Sequence, residues 1–294
     1  MKFRRPLHAC IGVALLFGAP MIAHAVASKS DLQAAYGNKI LTLRQAYPGA
    51  SLHFGADGKL SPPAAPGPWT VDGQVRVQDI SLQAGVLHIK AQRLFLFLDP
   101  GSNQFRDLGS ITKEDPSRKI FRIKKIDEWA SKHGGIEIEL ECGTAQPEIP
   151  DVAKVMEVVF LAADEPLKNA LPDVWKAWFA SKDKQDKDNV PVAQDHSAPV
   201  VPVGGGVSPP QLKYDPEPEY SEFARQAGYA AQSILSVVVG TDGLAHDIRI
   251  MKPAGLGLDE QAIKAVETWR FDPATRDGHP VLVLISVQVN FKLY

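Results

Sequence analysis

The sequence predicts an α+β protein of two folded parts joined by a Pro/Gly-rich linker. Three observations predict it. Two stretches, about 28–180 and 219–294, mix period-2 apolar alternation with apolar faces at helical spacing. Between them, residues 182–218 hold Pro at 191, 199, 202, 209, 210, 216 and 218 together with Gly204-Gly205-Gly206, and Tyr214 is the only aromatic there. Such a stretch offers too little apolar surface to offset its ordering entropy, Pro keeps it semi-extended and the glycines supply a joint. Finally, 45% hydrophobic and 22% charged residues in 294 are ordinary values for packed domains.

The first 25 residues read as an export signal. Lys2, Arg4 and Arg5 form a basic start, Ala9 to Ala23 is uncharged and mostly apolar, and Ala23-His24-Ala25 places small residues where a signal peptidase cuts. The apolar run is shorter than the roughly 20 residues of a spanning helix, and Pro20 interrupts it. Retention of 9–23 as an inner-membrane anchor is the second reading. Cleavage takes three of the 32 basic residues and none of the 34 acidic ones, moving the formal charge from -2 to about -5. Neither value suits a nucleic-acid binder. Cys10 and Cys142 are the two cysteines and form no CxxC. A disulfide scaffold, a Cys-based zinc site and an iron–sulfur cluster are thereby disfavoured. Cys142 continues the apolar face of Ile136, Ile138 and Leu140 and reads as a buried, inert thiol.

In the region 28–180 the elements follow in order. Asp31 to Lys39 reads as a short helix. Val75/Val77, Ile80/Leu82 and Leu87/Ile89/Ala91 alternate as strands, with a phase slip at Asp79 that marks a bulge or turn. Leu94 to Leu98 is a continuous apolar run, expected to be a strand covered on both faces. Ile120 to Ile126 and Ile136 to Cys142 complete the strands. One helix follows with Val152, Val155, Met156, Val159 and Phe160 on a face. A second carries Leu167, Ala170, Leu171, Val174, Trp175 and Trp178 and is divided by Pro172. His53, His88 and His133 have no ligand-type spacing, Glu137, Glu139 and Glu141 read as a solvated strand face, and Asp195-His196-Ser197 falls in the linker, where no triad geometry can be held. No catalytic, cofactor-binding or metal-ligating residue is assigned.

In the C-terminal part, Ser221 to Gln226 is a helix closed by Gly228, Ser233 to Val239 and Leu244 to Met251 are strands about the turn Thr241-Asp242-Gly243, and Leu258 onward is a helix with Asp259 as N-cap. Its apolar face is Ala262, Ile263, Val266 and Trp269. A long last strand, Val281 to Leu293, sends its odd-numbered apolar residues one way and Ser286, Gln288, Asn290 and Lys292 the other. The order helix–strand–strand–helix–strand fits a three-stranded antiparallel sheet with both helices on one face.

The ordered set Tyr220, Ala224-Arg225, Asp242-Gly243, Leu258-Asp259, Ala262, Ala265-Val266, Trp269-Arg270-Phe271, Pro273-Ala274, Asp277-Gly278, Pro280-Val281 and Val289-Asn290-Phe291 resembles the TonB C-terminal domain family over about 204–294. Tyr220-Ser221 stands where that family usually has Tyr-Pro. The resemblance implies a non-enzymatic periplasmic protein that grips an extended peptide of an outer-membrane TonB-dependent receptor, with inner-membrane ExbB and ExbD supplying proton-motive force. The grip it implies is strand addition to the edge formed by Leu284, Ile285, Ser286, Val287, Gln288, Val289, Asn290, Phe291 and Lys292. A homodimer would use the same edge. Energised relatives resemble one another in an uncleaved anchor bearing a Ser and a His on one face; here the apolar run contains no Ser and His8 precedes it. Two classes therefore stand open: an energised transducer for outer-membrane transport, and an exported periplasmic scaffold or binding module not coupled to proton-motive force. The domain at 28–180 resembles no family identified from its residues.

Overall fold

The computed structural model describes residues 26–99, 102, 104–111, 126–183 and 199–293. The expected signal segment, most of the expected strand Ile120 to Ile126, and Asp195-His196-Ser197 lie outside the described residues.

In the N-terminal part, helix α1 (Lys29–Tyr36) begins earlier than its apolar pattern suggested. Ser28 caps it and forms a capping box with Asp31. Strands β1 (Ile40–Thr42), β2 (Ser51–Phe54), β3 (Gln74–Gln83), β4 (Val86–Arg93) and β7 (Gly135–Glu141) form one sheet in the order β1-β3-β4-β7-β2. All neighbours run antiparallel except β2 and β7. The phase slip near Asp79 is a register shift between Val77 and Asp79. One face buries Val75, Val77, Ile80, Leu87, Ile89, Ile138 and Leu140 together with Leu32 of α1 and Val152, Val155, Met156 and Val159 of α4 (Ile149–Val159). Cys142 is buried at the rim of this core as a free thiol, and burial pushes its pKa up.

Five elements of the same region do not join that core. Helix α2 (Trp69–Asp72), strands β5 (Leu96–Asp99) and β6 (Gln104–Asp107), α3 (Ile126–His133) and α5 (Asp173–Asp183) lie elsewhere. Ile126 opens a helix where a strand was expected to end. Phe95, Leu96, Phe97, Leu98, Trp69 and Trp175 pack in one cluster with Leu235, Val237, Ala262, Val266 and Phe271 of the C-terminal part. The run Leu94 to Leu98 is therefore apolar because it faces a second core, although its strand pairs only with β6. Pro172 precedes α5 and separates it from the 3-10 turn Leu167–Asn169, as its missing N–H dictates.

The C-terminal sheet has the order β10-β9-β14, from β9 (Ala231–Val239), β10 (Ala245–Lys252) and β14 (Val283–Phe291). Helices α6 (Glu222–Gln226) and α7 (Leu258–Glu267) bury Ala224, Ala262 and Val266 in the core lined by Leu235, Val237, Val283, Val287 and Val289. The expected N-cap Asp259 is not one: Gly257, at φ 75°, holds that position. The Asp259 carboxyl turns back, accepting from the Ala254 and Gly255 amides at 2.8 Å and from the Ser233 hydroxyl at 2.7 Å. The single long last strand is two. β13 (His279–Val281) pairs with β12 (Ala274–Arg276), and β14 starts after Leu282 because the chain changes partner there.

Residues 199–218, read from the sequence as part of the linker 182–218, dock on the C-terminal part. β8 (Gln211–Tyr214) pairs with β11 (Arg270–Asp272), Val207 bridges Arg276, and Val201 bridges Val283. The stretch buries Val207 in the shared core and completes exposed ladders with its extended backbone, neither of which its Pro/Gly-rich composition reveals.

Candidate functional site

The expected site residues Leu284 to Phe291 all lie on β14; Lys292 lies one residue past its end. β14 pairs residue for residue with β9, from Val283 opposite Val239 to Phe291 opposite Ala231, with no register shift. Val283, Val287, Val289 and Phe291 are buried, whereas Ser286, Gln288 and Asn290 are exposed. Phe291 packs edge-on against Tyr220, with ring centroids 5.5 Å apart. The exposed amides are ordered from the neighbouring strand: Gln232 Nε2 donates to Asn290 Oδ1 at 2.8 Å and to Gln288 Oε1 at 3.3 Å.

The direction of the backbone groups follows from one bond. Val201 N donates to Leu282 O at 2.9 Å on the side of β14 away from β9. N–H and C=O of a residue share a side in a regular strand and alternate along it. The main-chain groups of Leu284, Ser286, Gln288 and Asn290 therefore face outward with that of Leu282, and those of the odd-numbered residues face β9. Among the described residues, Val201 at Val283 is the sole backbone bridge on this outer side. Val200 packs beside Val238, Leu282 and Leu284 and anchors the bridge. The sequence reading missed Val200 and Val201. Their signal is an isolated β-branched pair between Pro199 and Pro202, and Pro202, lacking an N–H, does not continue the ladder.

The opposite edge is built differently. β10 shows register shifts between His246 and Arg249 and between Ile250 and Lys252, and α5 packs against it. Bulges of this kind spoil a strand as a template for another.

Residues 216–293 match the model of the Gram-negative bacterial TonB protein C-terminal family. They are a TonB C-terminal domain. The chain is 36% identical over 81 residues to Protein tonB2 of Pseudomonas aeruginosa, covering 27% of this chain and 30% of that protein. It is 28% identical over 108 residues to Protein TonB of Vibrio cholerae serotype O1, covering 34% of this chain and 44% of that protein. A solution structure of the Pseudomonas aeruginosa TonB C-terminal domain aligns over 31% of this chain and 89% of its own at 21% identity, with a TM-score of 0.25. The chain thus spans less than half the length of the curated relatives it matches.

Outside the TonB-like sheet, the structure assembles a cluster that sequence spacing did not suggest. β2, β7 and β4 lie side by side, which places His53 and His88 on either side of Glu139. His53 Nδ1 is 3.2 Å from Glu139 Oε2, His53 Nε2 is 3.2 Å from Glu141 Oε1, and His88 Nδ1 is 3.1 Å from Glu139 Oε1. The Glu139 contact, aided by Glu141, raises the His53 pKa above its ordinary value. The donors string out along the face instead of converging, and among the described residues no three His, Cys, Asp or Glu side chains are placed to hold a metal ion. Trp175, Trp178 and Phe179 belong to the shared core. No helix among the described residues is long and apolar enough to cross a membrane.

Proposed function

We propose that this chain is a TonB-like periplasmic protein that takes up an extended segment of an outer-membrane receptor by strand addition along the outer side of β14, in support of energised transport across the outer membrane. The observation that carries the reading is the regular, neutral β14 edge, whose outward groups on Leu284, Ser286, Gln288 and Asn290 have no backbone partner among the described residues beyond the bridge at Val283. Each backbone hydrogen bond made there contributes a net ~0.5–1.5 kcal/mol. A short ladder then gives a reversible hold whose bonds share an applied pull. Side-chain selectivity comes from the alternating exposed positions Ser286, Gln288 and Asn290, so the partner strand is neutral and polar or β-branched on that face.

The family matches and the resemblance support the transport reading over the scaffold reading, and the place of the N-terminus separates the two. A protein isolated from the membrane fraction and beginning at Met1 or Lys2 retains its anchor and its route to ExbB and ExbD. A soluble protein beginning at Val26 removes that route. Binding itself is tested with the full chain and a set of synthetic peptides from the periplasmic side of TonB-dependent receptors. Gln288→Pro deletes an outward N–H and is expected to weaken capture at least tenfold with the fold intact by circular dichroism. Unchanged capture by a folded Gln288→Pro protein overturns strand addition at this edge.

A further inference from the structure

The TonB-like sheet does not stand alone: its helical layer is docked on the N-terminal part through a junction of α2, α5 and α7. Trp175 of α5, fully buried, donates its indole N–H to Glu260 Oε1 of α7 at 3.0 Å. The Gly257 amide at the head of α7 donates to Thr70 Oγ1 of α2 at 3.1 Å. The approach is close: a Cβ on Gly257 would lie 2.8 Å from Pro68, and Gly257 is in the left-handed region at φ 75°. Phe95 meets Phe223 of α6 at 5.0 Å between centroids. At the centre of this packing, Glu260 Oε2 is buried and receives no well-formed hydrogen bond among the described residues, the Glu260 and Thr70 backbone amides lying toward the carboxyl without completing one.

We propose that this junction is a proton-sensitive latch, closed when the Glu260 carboxyl carries a proton and loosened when it ionises. An unpartnered carboxylate oxygen is costly to bury charged, whereas the protonated acid has little to lose there. The charges around it do not offset that cost. Asp259 is its neighbour on α7 and carries the same sign. On α2, Asp72 lies 2.7 Å from Arg93 of β4, yet burial pushes its own pKa up to about 6, so it titrates in the same window and Glu260→Gln separates the two groups. On α5, Lys176 pairs with Asp173, and the next cation on α7, Lys264, reaches toward Glu219. β10, packed against both α5 and α7, carries His246, Asp247, Arg249 and Lys252, of which His246 is held by Asp242 in the hairpin. Consistent with this geometry, burial and then the Asp259 charge push the Glu260 pKa from 4.5 up to about 7, against the pull of the Trp175 indole and of the Glu260 and Thr70 backbone amides.

The sign follows. The docked state holds the proton where the undocked state has released it, so docking weakens as pH rises from about 4.5, and the loss is complete above about 7. Ordinary shifts of periplasmic pH would then change how firmly the N-terminal part grips the TonB-like sheet. This inference is independent of what β14 binds.

The test is amide hydrogen exchange of the full chain at pH 5 and pH 8, read as protection factors so that the intrinsic pH dependence cancels. Protection of the Gly257 amide is expected to fall by about tenfold or more from pH 5 to pH 8. Glu260→Gln, an uncharged isostere, is expected to hold it high at both values. Trp175→Phe removes the donor that favours the ionised form and is expected to move the midpoint of the fall to higher pH. Equal protection at the two pH values in the natural chain, the same fall in Glu260→Gln, or an unmoved midpoint in Trp175→Phe would each overturn the latch.

Discussion

On the N-terminal sheet both outer strands are closed by the chain's own backbone. Beside β1, Leu161 N donates to Thr42 O at 2.8 Å and Arg44 N to Val159 O at 2.9 Å. Beside β2, Ser61 N donates to His53 O at 2.8 Å, and Phe54 bridges Leu60. On the TonB-like sheet, β10 is bulged and flanked by α5, and β14 is regular and, among the described residues, bridged on its outer side at Val283 alone. An unprotected edge invites unwanted pairing, and proteins ordinarily blunt it. Among the described residues, two edges carry the chain's own backbone, a third is bulged and the fourth is regular along its length, a contrast that fits the strand addition proposed for that fourth edge. The contrast is stronger support for a binding role than exposure of β14 would be in isolation.

The largest expected effect concerns what the TonB-like sheet leans on. Trp175→Ala empties the centre of the shared core, and a change of this kind costs ~3–5 kcal/mol. Urea unfolding followed by near-ultraviolet circular dichroism and by proteolysis of the C-terminal part is expected to show both signals moving to lower denaturant together. A loss confined to residues 28–180 would mean that the two sheets are independent and that the edge contrast compares separate domains.

Next in size is the difference between two neighbouring positions on β14. Val289 turns its N–H toward β9, so Val289→Pro breaks the ladder from within, leaves a buried carbonyl on β9 unpaired and is expected to cost about 1–3 kcal/mol. Gln288→Pro removes an outward N–H and is expected to cost well under half as much while abolishing strand addition. Equal losses of thermal stability in the two variants would show that the assignment of outward groups is wrong.

Much of this architecture was legible in the sequence. Period-2 alternation located β3, β4, β7 and β14, an apolar β-branched run and the Asp242-Gly243 turn located β9 and β10, and helical spacing located α4 and α7, because those elements bury one face in a core. What escaped has a common cause. β1 and β2 have only a few residues each, α2 is a single turn and β8 is exposed throughout, so none carries a periodic signal; each is held by a partner distant in sequence. The Leu94 to Leu98 run was legible as buried but not as shared, since apolarity does not name the surface that covers it. On β14 the strand could be read, but the parity of its free groups could not, because it rests on Val201 reaching Leu282 from a stretch whose composition reads as linker.

A smaller effect is expected from unsealing an N-terminal edge. Leu161→Pro deletes the donor to Thr42 O and is expected to cost on the order of 1 kcal/mol. It leaves β1, with Ile40 exposed at its start, open on the outer side. Concentration-dependent self-association in sedimentation velocity is then expected for Leu161→Pro and not for the natural chain. Self-association of the natural chain that Gln288→Pro abolishes would instead show β14 accepting a second copy.

The same seal gives the smallest and most specific prediction. Arg44 holds Glu165 with two bonds, Nη1 to Oε1 at 2.8 Å and Nη2 to Oε2 at 2.6 Å, and its Nε donates to Glu157 O at 2.7 Å. These bonds pin the segment from Val159 to Glu165, whose Leu161 amide closes β1. The Arg44 pair, with Asn169 adding a further bond, draws the Glu165 pKa from 4.5 down to about 2. Its folded pKa is depressed, so its contribution is complete above the ordinary carboxylate range and is lost as pH falls from about 4.5 toward about 2. Exchange protection of the Leu161 amide should fall across that window in the natural chain, and Glu165→Gln should show the reduced protection already at pH 6. The β14 edge has no such pair, so protection of the Val287 and Val289 amides, which face β9, should be flat over the same range until global acid unfolding. A matching fall at Val289 would mean that the two sheets answer acid as one unit, and the seal on β1 would no longer be a local, separately titrating device.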